Sequence, residues 1–205
     1  MQNHEHSNIG YALDAGASLM IPQVDTVEQA QHIISSMKFG ASVKGTRSAP
    51  PSRWVMGIND KSIDPSLTFH QSLNHQASLT IQIESLAAIQ NLDAILTACK
   101  ADIDAVWLGS LDARISMGLP AFGGGEPEWE EAVKLFEATM AKHDMPGAGF
   151  VFGPPEAREK LAKGKAWMCS SADILALMGT MGELGAFREA FPAKSQVGAW
   201  EGEKA

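Results

Sequence analysis

Between Leu79 and Glu84 the sequence alternates between apolar and polar residues. A period of two is typical of a β-strand that buries one face, so Gln82 and Glu84 are predicted to share the opposite face. A second apolar stretch over residues 104–109 predicts another strand, which ends in a tight Gly-Ser-Leu-Asp loop that carries Asp112. If these strands are parallel neighbours, Glu84 and Asp112 lie at the same end of the sheet, where α/β folds place their sites.

The rest of the pattern predicts strands in alternation with helices. Strands are predicted near residues 19–24, 79–84, 104–109, 148–152 and 166–170, and helices over residues 9–15, 26–37, 65–74, 86–99, 127–144, 155–163 and a last stretch that ends at residue 191. This alternation predicts an α/β fold with a parallel sheet, and the spacing suits a TIM (β/α)8-type barrel. We predict a single partial barrel domain over residues 1–193, truncated at the N-terminus to about strands 4–8, and a flexible tail over residues 194–205.

Composition narrows the class of partner. The chain has 205 residues, a net charge of -8 and a pI near 5.2, which disfavours binding to nucleic acid or to an anionic membrane surface. Small polar molecules are the better prediction. Cys99 and Cys169 match no metal-binding or disulfide spacing, and residues 1–8 lack the features of a signal peptide. No apolar run reaches the length of a membrane span, so we predict a cytoplasmic protein.

Two carboxylates that converge in a pocket suit a hard divalent cation with open positions for a substrate. The alternative for Glu84 and Asp112 is an ordinary pair of solvated acids, but Glu84 follows buried positions, where an unpartnered charge is costly. Gln82 is as readily explained by a polar residue of the barrel interior as by contact with a substrate. Arg47 and Arg53 could meet an anionic substrate, although a solvated loop charge is the favoured interpretation.

Five motifs, in order, resemble the HpcH/HpaI aldolase/citrate lyase family of class II pyruvate aldolases. They are Leu13-Asp14-Ala15-Gly16-Ala17, Met20-Ile21-Pro22-Gln23-Val24, Lys44-Gly45, Ile81-Gln82-Ile83-Glu84-Ser85, and Gly109-Ser110-Leu111-Asp112 with Met117-Gly118. The resemblance extends over about residues 8–191.

The resemblance implies a specific chemistry. Glu84 and Asp112 would be the two protein ligands of a Mg²⁺ or Mn²⁺ ion. The backbone N–H groups of Leu111 and Asp112 would hold the substrate carboxylate, and Gln82 would line the pocket. The implied activity is that of a carbon-carbon lyase, an aldolase or decarboxylase that acts on small 2-oxo acids through a pyruvate enolate. Family members assemble as oligomers, so a homo-oligomer is expected by the same likeness.

The sequence departs from the family in two respects. The family's catalytic Arg and its His-containing region belong to strands that precede the first motif, and residues 1–8 do not supply them. Ser110 and Leu111 also stand where the family usually has Pro and a small or polar residue. The alternative hypothesis is therefore a truncated, metal-binding but catalytically poor member that acts as a partner or remnant. In an active enzyme, Arg47 or Arg53 would have to replace the missing Arg.

Overall fold

The computed structural model describes residues 5–49 and 64–191, which form five strands and eight helices. The strands are β1 Leu19–Ile21, β2 Leu79–Ile83, β3 Ala105–Leu108, β4 Gly147–Phe150 and β5 Lys165–Cys169. The helices are α1 His6–Asp14, α2 Val27–Met37, α3 Phe69–Gln76, α4 Leu86–Cys99, α5 Ser110–Ser116, α6 Pro127–Lys142, α7 Pro155–Ala162 and α8 Asp173–Ala190. Short 3₁₀ turns lie at Ala41–Val43 and Lys100–Asp102. The predicted alternation of strands and helices is confirmed.

The strands form one sheet in the order β1-β2-β3-β4-β5. The pairs β1–β2, β2–β3 and β3–β4 are parallel, and Gln82 of β2 lies beside Trp107 of β3. Neighbouring parallel strands joined by helices are the repeating unit of a (β/α)8-type barrel. The chain therefore contains five strands of such a barrel, and the predicted α/β fold class is confirmed.

The helix-facing side of β2 supplies the centre of the core. Leu79, Ile81 and Ile83 are fully buried, and they pack in one cluster with residues of α2, α4 and α6. Complete burial of each such side chain contributes about 1.5–3 kcal/mol to folding. Because the odd positions of β2 face this core, the backbone alternation turns Thr80 and Gln82 toward the other face.

Local capping signals fix where two helices begin. The Thr26 side chain accepts a hydrogen bond from the Gln29 backbone N–H, while the Gln29 side chain accepts one from the Thr26 backbone N–H. These two hydrogen bonds form a capping box at the start of α2. Ser85 caps α4 by accepting a hydrogen bond of 2.9 Å from the Ala88 N–H. That cap sets the direction of the chain just after Glu84.

The described residues divide into two compact units. One contains residues up to 149 together with 162–168, and the other contains residues 150–161 with the chain from 169 onward. Neither α7 nor α8, both in the second unit, has a buried residue. The predicted domain end at residue 193 lies outside the described residues and stays a prediction.

The large aromatic residues differ in burial. Trp107 and Trp129 are buried, whereas Trp167 and Phe122 are exposed. Helical or core-like spacing does not distinguish a buried aromatic residue from one on a protruding loop. In the described part of the chain, no helix has both the length and the apolar character needed to cross a membrane. The cytoplasmic location stays a prediction.

Candidate functional site

Glu84 follows the last residue of β2, at the carboxyl end of the strand. Its side chain is partly buried, and its Oε2 atom accepts a hydrogen bond of 3.0 Å from the backbone N–H of Gln23. Gln23 has a φ of 55°, in the left-handed region that non-glycine residues rarely adopt. An unusual backbone conformation therefore directs an N–H group at the carboxylate.

Gly109 lies directly against the Glu84 side chain. Its N–H donates to the Ile83 carbonyl at 2.9 Å, which holds the end of β3 beside the end of β2. A Cβ atom at Gly109 would lie 2.5 Å from Cγ and 2.6 Å from Oε1 of Glu84. Because real Cβ atoms do not approach so closely, the position of the Glu84 carboxylate depends on a glycine here.

The segment that carries Asp112 is helical, which corrects the predicted tight loop. Gly109 precedes α5, and Ser110, Leu111 and Asp112 form the first turn of that helix. The turn pattern and a helix start share the same small and polar residues, so composition alone did not separate them. Asp112 is exposed, and Leu111 is 45% exposed. An acid in the first turn is stabilised by the free N–H groups there.

The pKa of Glu84 is raised in the folded chain. Burial is the main cause that raises the pKa of Glu84, and the negative charges of Asp112 and Asp25 raise it further. The hydrogen bond from Gln23 acts in the opposite direction. The structure therefore brings Glu84 and Asp112 into one electrostatic environment, at the sheet end where the sequence predicted them to meet.

Glu84 and Asp112 offer carboxylate oxygens, the donor type that a hard divalent cation prefers. Within residues 5–49 and 64–191, no cluster of three or more His, Cys, Asp or Glu side chains could hold a metal. Mg²⁺ commonly needs only one or two carboxylates, and water and substrate oxygens complete its coordination. Glu84 and Asp112 supply two carboxylates, and the backbone of Gly109 leaves the space that Glu84 occupies.

Gln82 lies on β2 below Glu84, partly buried and beside Trp107. The rings of Trp107 and Trp167 are 5.3 Å apart, and the Trp167 indole N–H donates to the Thr80 hydroxyl at 2.9 Å. Gln82 thus borders an aromatic surface on the face of the sheet opposite the helix-packed core. Both interpretations of Gln82, a polar residue of the barrel interior and a substrate contact, remain compatible with this position.

Arg47 is not placed to receive a substrate. Its buried guanidinium pairs with the Asp14 carboxylate at 2.6 Å and lies 4.5 Å from the centre of the Phe39 ring. The structure thus corrects the candidate role in substrate binding, and also the favoured interpretation as a solvated loop charge. Arg53 lies outside the described residues.

Arg114, two residues after Asp112, is also committed to an internal pair. It forms two hydrogen bonds of 2.9 and 2.7 Å to Glu126, and its Nε donates to the Pro120 carbonyl. The guanidinium beside Glu126 lowers the pKa of that carboxyl to about 2. This pair joins α5 to Glu126, the N-cap of α6, and so restrains the helix that carries Asp112.

Sequence reasoning missed Gln23, Asp25 and Gly109 as parts of this site. Gln23 and Gly109 occur within the motifs of the family resemblance, but neither has a side chain that signals chemistry. Gln23 acts through its backbone N–H, and Gly109 acts by lacking a side chain. Such roles become visible only when the ends of β1, β2 and β3 are placed together.

The comparisons with known proteins now bear on this geometry. The sequence model of the HpcH/HpaI aldolase/citrate lyase family matches residues 3–165. The chain belongs to this family. Its relatives include 2-keto-3-deoxy-L-rhamnonate aldolases of Salmonella typhimurium and Salmonella agona, each 33% identical over 174 residues. The match covers 82% of this chain and 60% of each relative, so the chain spans about three fifths of the length of these aldolases.

Solved structures show the same fold. Macrophomate synthase superposes with a TM-score of 0.78 at 26% identity, over 92% of this chain and 65% of that one. A family protein from Burkholderia cenocepacia J2315 gives a TM-score of 0.72 at 23% identity, with 90% and 70% covered. An aldolase from Desulfitobacterium hafniense DCB-2 gives 0.71 at 20%, with 92% and 70% covered. The predicted family is confirmed, and it is a family of aldolases and lyases.

Proposed function

We propose that this chain binds Mg²⁺ or Mn²⁺ through Glu84 and Asp112 and serves a carbon-carbon lyase that acts on 2-oxo acids through a pyruvate enolate. The observation that carries the proposal is the placement of Glu84 over Gly109, with its pKa raised by burial and by Asp112. An acid held in a position that disfavours its charge is typical of a functional site. Family membership supports the choice of aldolase or decarboxylase chemistry.

The residues of the chain have distinct proposed roles. Glu84 and Asp112 hold the cation, which when bound supplies Lewis-acid chemistry to the oxygens of a 2-oxo acid. The N–H groups of Leu111 and Asp112 bind the substrate carboxylate, because the first turn of α5 leaves them without helical partners. Gln82 faces the same space and contacts the substrate. The rings of Trp107 and Trp167 supply an apolar surface beside Gln82.

A second candidate function is metal binding without efficient turnover. Its support is the commitment of both described arginines in the unit that carries the site, Arg47 to Asp14 and Arg114 to Glu126. Each guanidinium is already paired with a carboxylate of this chain. In this case the chain would act as a partner of a protein that supplies the missing catalytic Arg side chain.

Pyruvate release distinguishes the two candidates. The full chain is incubated with Mg²⁺ or Mn²⁺ and either oxaloacetate or a 4-hydroxy-2-oxo acid, and pyruvate is measured with a coupled dehydrogenase. The lyase proposal expects metal-dependent pyruvate release that is lost in Glu84→Ala. Mn²⁺ binding without pyruvate above the Glu84→Ala background would favour the second candidate, and no Mn²⁺ binding would contradict both.

We also propose that the chain forms a homo-oligomer through α8. The apolar side chains of this helix are exposed in the single chain, namely Ile174, Leu175, Leu177, Met178, Met181, Leu184 and Phe187. A continuous exposed surface of this kind is typical of a protein interface. The family resemblance makes a second copy of the chain the expected partner.

Light scattering after size exclusion tests the oligomer. The parent chain is expected to elute with a mass of at least two copies. The double variant Leu177→Ser, Met181→Ser is expected to have a lower mass, because it places two hydroxyls in the apolar surface. Glu183→Gln on the same helix is the control and is expected to keep the parent mass. A monomeric parent chain would contradict the proposal.

A further inference from the structure

Asp25 forms three hydrogen bonds with three different residues, donating one and accepting two. Its backbone N–H donates to Gln29 Oε1 at 2.7 Å, and its carbonyl accepts from Asn91 Nδ2 at 2.9 Å. Its carboxylate Oδ1 accepts from the Ser85 hydroxyl at 2.6 Å. Ser85 is the N-cap of α4 and Asn91 lies within this helix, so their two bonds join the loop after β1 to the part of the chain that follows Glu84.

The loop held in this way contains Gln23, whose left-handed backbone directs its N–H at Glu84. The next residue, Val24, donates its N–H to the Gln82 carbonyl at 3.2 Å. Two successive N–H groups of the loop therefore bond to residues at the end of β2, one to the Glu84 side chain and one to the Gln82 backbone. A left-handed conformation at a non-glycine residue is unfavourable by itself and persists only where the surroundings determine it. The hydrogen bonds of Asp25 hold the neighbouring part of the loop and so support this conformation of Gln23.

We infer that Asp25 is a positioning residue for the cation site, which acts through the loop that presents the Gln23 N–H to Glu84. The inference rests on the proposed function of Glu84 and assigns a role to a residue outside the ligand pair. With Gln23 holding Oε2, the other carboxylate oxygen, Oε1, remains beside Gly109 and available to a cation. A fixed ligand orientation of this kind increases metal affinity.

The charge of Asp25 agrees with this role. In the structure its negative charge acts on the Glu84 carboxylate. With a divalent cation bound, the same charge adds to the attraction of the site, since affinity rises with the number of nearby carboxylates. An acceptor that served the loop alone would not need a charge at this position.

Two substitutions of Asp25 that remove the same charge distinguish the effect of its hydrogen bond from the effect of its charge. Asp25→Ala and Asp25→Asn both remove the negative charge, but Asn keeps an oxygen that can accept from Ser85. The measurement is Mn²⁺ affinity of the full chain, from electron paramagnetic resonance of free Mn²⁺, with the melting temperature of each variant alongside. We expect Asp25→Ala to bind Mn²⁺ about 10-fold more weakly than the parent. Asp25→Asn is expected to bind Mn²⁺ about 5-fold more tightly than Asp25→Ala.

A second pair covers the case in which Asp25→Ala fails to fold. Asn91 and Gln90 are both exposed on α4, and only the Asn91 side chain holds the Asp25 carbonyl. Asn91→Ala is expected to weaken Mn²⁺ binding, whereas Gln90→Ala is expected to keep the parent affinity at a similar melting temperature. Equal affinities of the parent and Asn91→Ala, or equal losses in Asn91→Ala and Gln90→Ala, would overturn the role of Asp25 and leave the Glu84–Asp112 site standing. A parent chain that does not bind Mn²⁺ would overturn both.

Discussion

Replacing Glu84 by glutamine is expected to abolish Mn²⁺ binding while leaving the metal-free fold at least as stable as the parent. Glutamine keeps the shape of the side chain and an oxygen that can accept from Gln23, but it removes the charge that attracts the cation. We expect the Mn²⁺ affinity to fall by at least about 100-fold, as for the loss of a ligand charge at a hard-cation site. Isothermal titration calorimetry measures the affinity, and circular dichroism measures the melting temperature.

The direction of the stability effect follows from the pKa of Glu84. Because burial raises the pKa of this carboxyl in the folded chain above its ordinary 4.5, the folded state binds a proton more tightly than the unfolded state. The resulting stabilisation is present below about pH 4.5 and is lost as the pH rises through the raised pKa. At neutral pH the ionised carboxylate therefore opposes folding, and glutamine removes that opposition.

Glu137→Gln, on the exposed side of α6, is the matched control. It makes the same chemical change away from the site and is expected to alter neither Mn²⁺ affinity nor the acid dependence of stability. Full Mn²⁺ affinity in Glu84→Gln would contradict the ligand assignment. A melting temperature well below that of the parent would instead show that the carboxylate stabilises the metal-free fold.

The part of the fold that could be predicted from sequence rests on short-range patterns. The alternation in β2 identified the buried face correctly because each strand position depends on its immediate neighbours. The capping box at Thr26 and the cap at Ser85 were predictable for the same reason, since donor and acceptor lie three residues apart. The convergence of the chain near Glu84 and Asp112 followed from one topological rule for parallel strands.

The features that could not be predicted depend on residues far apart in sequence. Arg47 is buried because Asp14, on α1, lies within hydrogen-bond distance, and their separation along the chain gives no pattern. The hydrogen bond from Gln23 to Glu84 spans the whole segment between β1 and the end of β2. The start of α5 was mistaken for a loop because its Gly and Ser residues are common to both structures.

Gly109→Ala is expected to weaken cation binding without unfolding the chain. Gly109 has a φ of -78° and a ψ of 77°, so its backbone does not have the left-handed conformation that favours glycine over alanine. The added Cβ atom would lie 2.5 Å from Glu84 Cγ, and the flexible Glu84 side chain must rotate away from it. This rotation moves Oε1 of Glu84 away from Gly109, and we expect that Glu84 and Asp112 can then no longer bind one cation together.

The matched control for this substitution is Gly125→Ala. Gly125 is exposed, and no atom lies within 4 Å of the Cβ that alanine would add. Both variants add one methyl group, but only Gly109→Ala is expected to reduce Mn²⁺ affinity, by about 10-fold or more. Circular dichroism spectra are expected to match the parent in both. Because both proposed ligands keep their chemistry in Gly109→Ala, a loss of affinity there would come from their positions. An unchanged affinity would mean that the cation does not require the observed orientation of Glu84.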